Sequence, residues 1–189
     1  KYKFWASKST PGQEIRKVHT GLPGLIVKVL TDVVLNDLND FDFELDKNKS
    51  LWEEFDKEEL FSEHLNTALR EMLYMGDGAW KIIIDTKFSQ YPMSEWVSGL
   101  YVDYVYQYGR VKEVVFKTAY KESYKTYTLH EIYGYGYINY RLYLGDKEVP
   151  LTTIEATKHL TDLVFDKTVI LAVPAKIYLS LIHISEPTR

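Results

Sequence analysis

The chain has no cysteine among its 189 residues, which excludes a disulfide framework and a thiolate metal site and favours a reducing cytoplasm without requiring it. Long apolar runs are also missing. Stretches such as residues 168–175 fall far short of the ~20 residues that span a bilayer, and no basic-then-apolar segment opens the chain, so a soluble protein is expected, with no membrane among its partners. Nor is there a surplus of positive charge. Against 23 Lys and Arg stand 27 Asp and Glu, a formal net charge of -4, which gives no global attraction to nucleic acid or to an anionic membrane.

Catalytic signatures are absent as well. There is no Walker A loop and no nucleophile elbow, and His130-Glu131 is not followed by the second histidine of a zinc-binding HExxH. Residues 40–46 alternate Asp40, Asp42, Glu44 and Asp46 with Phe41, Phe43 and Leu45. That lacks the glycine and the terminal glutamate that a calcium loop needs, so a short strand with a wet acidic face is expected there instead. Asp85, Glu95, Glu113 and Glu131 lie in or beside strand-like runs. A glycosidase would need two of them ~5 to 9.5 Å apart across a cleft, whereas their positions suit solvent-facing charges. No catalytic residue, cofactor or metal ligand is therefore expected. His64, in an apolar helical stripe, is expected at the edge of a core.

What the chain has in abundance is tyrosine, 16 residues, with 4 Trp and 8 Phe. They concentrate in residues 76–144, in runs of branched and aromatic side chains broken by glycines, which reads as an antiparallel meander. Alternation puts Val114, Phe116 and Thr118 on one face, with Lys112 at its wet end, and sets Tyr127, Leu129 and Tyr133 opposite Thr126, Thr128 and His130. Strands are expected at residues 79–85, 94–97, 101–106, 110–119, 124–133, 137–144 and 148–151. A chain of this length can bury roughly 70% of its unfolded surface, enough for a core without staples.

Around that sheet the remaining elements read as helices and connectors. Residues 1–18 suit an extended arm. Thr20 can cap a helix in which Pro23 occupies the first turn and Leu22, Ile26, Val29, Leu30, Val33 and Val34 recur at helical spacing, a helix expected to dock on the sheet. Ser50 and Glu53 have capping-box spacing and mark a second helix. Leu60, Phe61, Leu65, Ala68, Leu69, Met72 and Leu73 form the stripe of a third. Gly76, Asp77 and Gly78 then supply a structural turn into the first strand; a phosphate cradle would need the opposite order, strand before helix. After the sheet, residues 154–164 are expected as a short helix and residues 171–176 as a strand ended by Pro174. The fold class is α+β, with N-terminal helices packed on an antiparallel, Tyr-rich sheet.

Five phrases in register carry a resemblance: HTGLPGLIVKVL from His19, the helical region from Trp52 to Met75, GDGAWKIIID from Gly76, YGRVKEVVFKTAY from Tyr108, and YTLHEIYGYGYINYRL from Tyr127. Over residues 19–178 the chain resembles the portal proteins of tailed bacteriophages, the head-tail connectors of siphophages of Gram-positive hosts, and specifically an N-terminal wing fragment. The resemblance implies a non-enzymatic subunit of a homo-oligomeric ring, usually of twelve, at one capsid vertex. Its partners would be other copies of itself, the terminase, scaffold and coat protein, and head-completion proteins. The implied location is the virion, and the host cytoplasm during assembly. Family members pass double-stranded DNA in genome packaging and ejection through a channel built by parts that follow the wing, so no DNA-contacting residue carries over. Residues 179–189, LSLIHISEPTR, resemble a translated sequencing adapter, so residues 19–178 are expected to be an incomplete wing-like region. The alternatives are an aromatic-rich carbohydrate-binding β module and, behind it, a glycoside hydrolase fragment.

Overall fold

A computed structural model describes residues 21–38, 41–85 and 87–176. The expected arm at 1–18 and the adapter-like stretch at 179–189 lie outside them. The chain divides into two units, one ending at Asn39 and one beginning at Asp40. In the first, α1 (Leu22–Asp37) starts with proline in its first turn, behind Gly21 in the left-handed conformation (φ 71°). That glycine holds the cap position expected for Thr20. Thr31 is buried, its hydroxyl donating to the Val27 carbonyl at 2.8 Å.

The second unit is α+β. Helices α2 (Asp46–Glu59) and α3 (Phe61–Met75) precede, among the described residues, nine strands in two antiparallel sheets. Strands β1 (Asp77–Ile83), β2 (Met93–Ser98) and β9 (Ala172–Lys176) form one sheet in the order β2-β1-β9. Strands β3 (Val102–Gln107), β4 (Arg110–Glu122), β5 (Lys125–Gly134), β6 (Tyr137–Leu144) and β7 (Lys147–Val149) run as a meander, with β8 (Leu163–Val164) added to β6. The expected single meander is thus two sheets, because β1 lies between β2 and the late strand β9, and neither β1 nor β2 pairs with β3.

One core joins the sheets. Ala79 and Ala172, on one face of the three-stranded sheet, pack with Val102, Val114, Phe116, Tyr133 and Ile138 of the six-stranded sheet. Farther along, Tyr127, Leu129 and Leu142 are covered by Ile154 and Leu160. The expected inward positions Val114, Phe116, Tyr127, Leu129 and Tyr133 are all buried. Tight turns with Gly109, Gly136 and Gly145 at positive φ join consecutive strands, a backbone region that glycine enters at no steric cost.

Several expectations are corrected. Residues 41–45 form no strand: Phe41 and Phe43 instead place their rings 4.5 and 6.3 Å from Trp52. Helix α2 begins at Asp46, so Ser50 lies inside it and donates to the Asp46 carbonyl at 3.1 Å, one turn back, where a cap residue would bond forward. Residues 154–164 form no α-helix. Ile154 is pinned into the core and the Thr157 hydroxyl turned onto the Leu151 carbonyl at 2.6 Å, which leaves short turns followed by the two-residue strand β8. Pro174 does not end β9 but sits within it, opposite Ala79. The Ile82 N–H to Leu171 carbonyl bond fixes the ladder so that residue 174 falls at a position whose N–H would point away from β1, where proline removes no bond. His64, expected at the edge of a core, is exposed although it stands one turn before buried Ala68 on α3.

Gly76, Asp77 and Gly78 divide their work. Gly76, at φ 88°, caps α3 with its N–H on the Met72 carbonyl. Asp77 and Gly78 already belong to β1. A Cβ on Gly78 would lie 2.3 Å from a ring carbon of Trp96, so that glycine makes room for an indole.

Candidate functional site

Side-chain alternation gives β1 two different faces. Trp80 and Ile82 point one way and Lys81 the other. On the first face lies an apolar groove of about 810 Å³. Helix α2 lines it with Asn48, Leu51, Trp52 and Phe55, residues at the i, i+3, i+4, i+7 spacing that puts them on one side of a helix. Phe61 closes one end, Val173 contributes from β9, and Tyr91, Met93 and Ser94 complete the wall.

The rings in and around the groove form a chain of tilted and edge-to-face contacts: Trp52–Phe61 at 5.5 Å and 75°, Phe61–Trp80 at 5.4 Å and 34°, Trp80–Trp96 at 5.5 Å and 65°. These are the offsets that aromatic quadrupoles favour. They do not form the coplanar platform that stacks on a sugar ring.

Polar groups sit at one lip. The Tyr91 hydroxyl donates to Glu54 at 2.5 Å, and Ser89 donates to Glu58 at 3.0 Å while accepting the Tyr91 N–H at 3.0 Å. The Glu54 hydrogen bond, with desolvation and the two carboxylate charges behind it, raises the Tyr91 pKa above its usual value. The Ser94 hydroxyl oxygen is buried without a hydrogen-bond partner among the described residues.

On the opposite face of β1, Lys81 bridges the sheets. Its ammonium lies 2.9 Å from Glu95 of β2 and 3.5 Å from Glu131 of β5, and 5.8 Å from the Phe116 ring centroid. Burial pushes the Lys81 pKa down, but the charge of Glu131 and the hydrogen bond of Glu95 outweigh it and leave the value raised. Burial raises the Glu131 pKa, and Lys81 only partly offsets it. Beside them the buried Tyr133 hydroxyl is pushed far up, first by desolvation and then by Glu131.

Glu131 is therefore not the solvent-face charge expected. It shares the inward parity of Leu129 and Tyr133, and the lysine is what makes that position tenable. Glu113 instead accepts from Tyr137 at 2.5 Å, and Asp85 closes a turn by accepting the Lys87 N–H at 2.9 Å. None of these carboxylates lines the groove, and among the described residues no group of three or more His, Asp or Glu is disposed to hold a metal. His130 lies beside Tyr143, with ring centroids 4.6 Å apart, its pKa lowered by burial and then by Lys117.

Sequence reasoning did not find the groove. One signal was available in the spacing of Asn48, Leu51, Trp52 and Phe55, which gives α2 an apolar side; the sheet residues that face it are up to 125 positions away, at Val173. Among the described residues no helix is long and apolar enough to cross a membrane. In comparisons with known proteins, no protein-family model matches the chain and no curated protein matches it.

Proposed function

We propose that this chain is a structural protein, part of the wing of a portal-type subunit that works within a ring at a phage capsid vertex. The five phrases in register support the assignment. The observation that carries the assembly role is an uncovered apolar edge. Among the described residues, strand β3 is the free margin of the six-stranded sheet, and around it Leu100, Tyr101, Val105, Tyr106 and Tyr108 are exposed, Tyr108 at 94%. A sheet edge flanked by exposed apolar side chains is a template for pairing with another chain, although β3 is only six residues long, contains Asp103 and has a bulge between Val105 and Tyr106.

In this reading the partners are further copies of the chain, the terminase, and the scaffold, coat and head-completion proteins. Double-stranded DNA meets other parts of the subunit, and the protein acts in the virion and the host cytoplasm without being an enzyme. The carbohydrate-binding alternative has the aromatic groove in its favour, but the tilted rings and scarce polar groups there would leave sugar hydroxyls unpaired.

Two measurements test the reading. The gene should lie beside a large terminase gene and continue into long helices. Expressed alone, residues 1–178 should associate nonspecifically in size-exclusion chromatography with light scattering. A clean monomer, from a gene among carbohydrate-processing neighbours, would overturn it.

A further inference from the structure

The groove has an uncharged floor, and the segment that supplies much of its lining is predominantly acidic. Residues 41–59 supply Phe43, Asn48, Leu51, Trp52 and Phe55 to its lining, and the same segment holds eight acidic residues against three lysines. Two of those acids are fixed at the lip, Glu54 on the Tyr91 hydroxyl and Glu58 on the Ser89 hydroxyl. At about 810 Å³ the space falls in the range of ligand pockets, roughly 300 to 1,000 Å³. That is room for a few large side chains, not for a whole structural element.

The geometry points to a docking site for an amphipathic segment of a partner protein, one that lays apolar side chains into the groove and carries Lys or Arg beside them. An apolar stripe resting in a hydrophobic groove is a recurrent mode of peptide recognition, and the acidic surround selects the sign of the flanks. The lining favours the same choice, because cations are attracted to the faces of Trp, Tyr and Phe. Electrostatic complementarity of this kind sets specificity and on-rate more than it adds affinity. The inference does not need the ring reading, since a monomer could carry such a groove.

The test uses the full chain and two synthetic helical peptides with the same leucine stripe, one flanked by lysines and one by glutamates. Fluorescence anisotropy of labelled peptide gives affinity, and Trp52 and Trp80 in the wall report occupancy. The lysine peptide is expected to bind at least tenfold more tightly at low salt, with the gap closing at 1 M salt, where the Debye length is about 3 Å. Leu51→Lys, at a lip position 45% exposed, should weaken it at least tenfold while circular dichroism stays unchanged; Asn48→Lys, also exposed, is the second variant. Equal binding of the two peptides, or a lysine preference that both variants leave intact, would overturn the proposal.

Discussion

Replacing Lys81 with methionine keeps the length of the side chain and removes the one charge that lies between Glu131 and Glu95. The side chains of Lys81 and Glu131 are only 12% and 13% exposed, so Glu131 would be left ionised and unpartnered between two sheets. Breaking a buried pair from one side costs about 3–5 kcal/mol. Protonation sets a ceiling, however, because neutralising a carboxylate of ordinary pKa at pH 7 costs about 3.7 kcal/mol, and at pH 5 about 1 kcal/mol.

The sign follows from the direction of the Glu131 shift. Its folded pKa is already above the unfolded one, so its contribution is fully favourable below the unfolded value and is lost as pH rises through the folded value. Without Lys81 the folded value climbs further and the loss grows. Urea unfolding followed by tryptophan fluorescence should show Lys81→Met less stable by about 3 kcal/mol at pH 7 and by about 1 kcal/mol near pH 5. Adding Glu131→Leu should restore most of the loss, since replacing both members of a buried pair by apolar groups is often neutral. A loss that does not shrink toward pH 5, or a double variant no better than the single one, would refute the reasoning.

The glycines at the α3–β1 junction should separate two costs. Gly78→Ala forces a Cβ to within 2.3 Å of the Trp96 ring and 2.8 Å of the Val97 carbonyl oxygen, and should cost about 1–3 kcal/mol by overpacking. Gly76→Ala meets nothing within 4 Å and should cost only the left-handed backbone term, about 1 kcal/mol; a reversed order in urea midpoints would contradict this. The Tyr104 hydroxyl, which donates to the Gly78 carbonyl, is held up to about 12 by burial and then by Asp77. Its contribution to stability should stay whole below pH 10 and fade toward pH 12, and the absorbance difference between wild type and Tyr104→Phe should show no phenolate at pH 10.5. Replacing Tyr106 and Val105 on the β3 edge by lysine should reduce self-association of the chain in light scattering.

Much of the meander was legible because its faces alternate over long strands: β4 has 13 residues and β5 has 10, and glycine marks the corners before β4 and after β5, while Ser123 and Tyr124 at positive φ make the corner between them. Helix α3 was legible for the same reason, with a 3.6-residue stripe and Gly76 at its end. The misread segments are those where local pattern and tertiary partner disagree. Residues 41–45 alternate like a strand, but among the described residues they pair with no strand, and their phenylalanines lie against Trp52 instead. Residues 154–164 carry a helical cap signal, yet Ile154 is needed in the sheet core. Glu131 shows the limit of a face assignment, since a charged residue turned inward is legible only together with its partner, and Lys81 lies 50 positions earlier on another sheet. The groove was hidden for that reason too.

Pro174 in β9 has a consequence for how this protein can polymerise. The outward-pointing backbone groups of residues 172, 174 and 176 are what an added strand would grip, and the ring nitrogen removes the middle donor of the three. Growth of a continuous sheet past β9 is therefore interrupted at its centre, whereas the β2 and β3 margins have no proline within them. Among the described residues, a strand added beside β9 would meet one donor fewer than a strand added beside β2 or β3, so backbone pairing is weaker at that border.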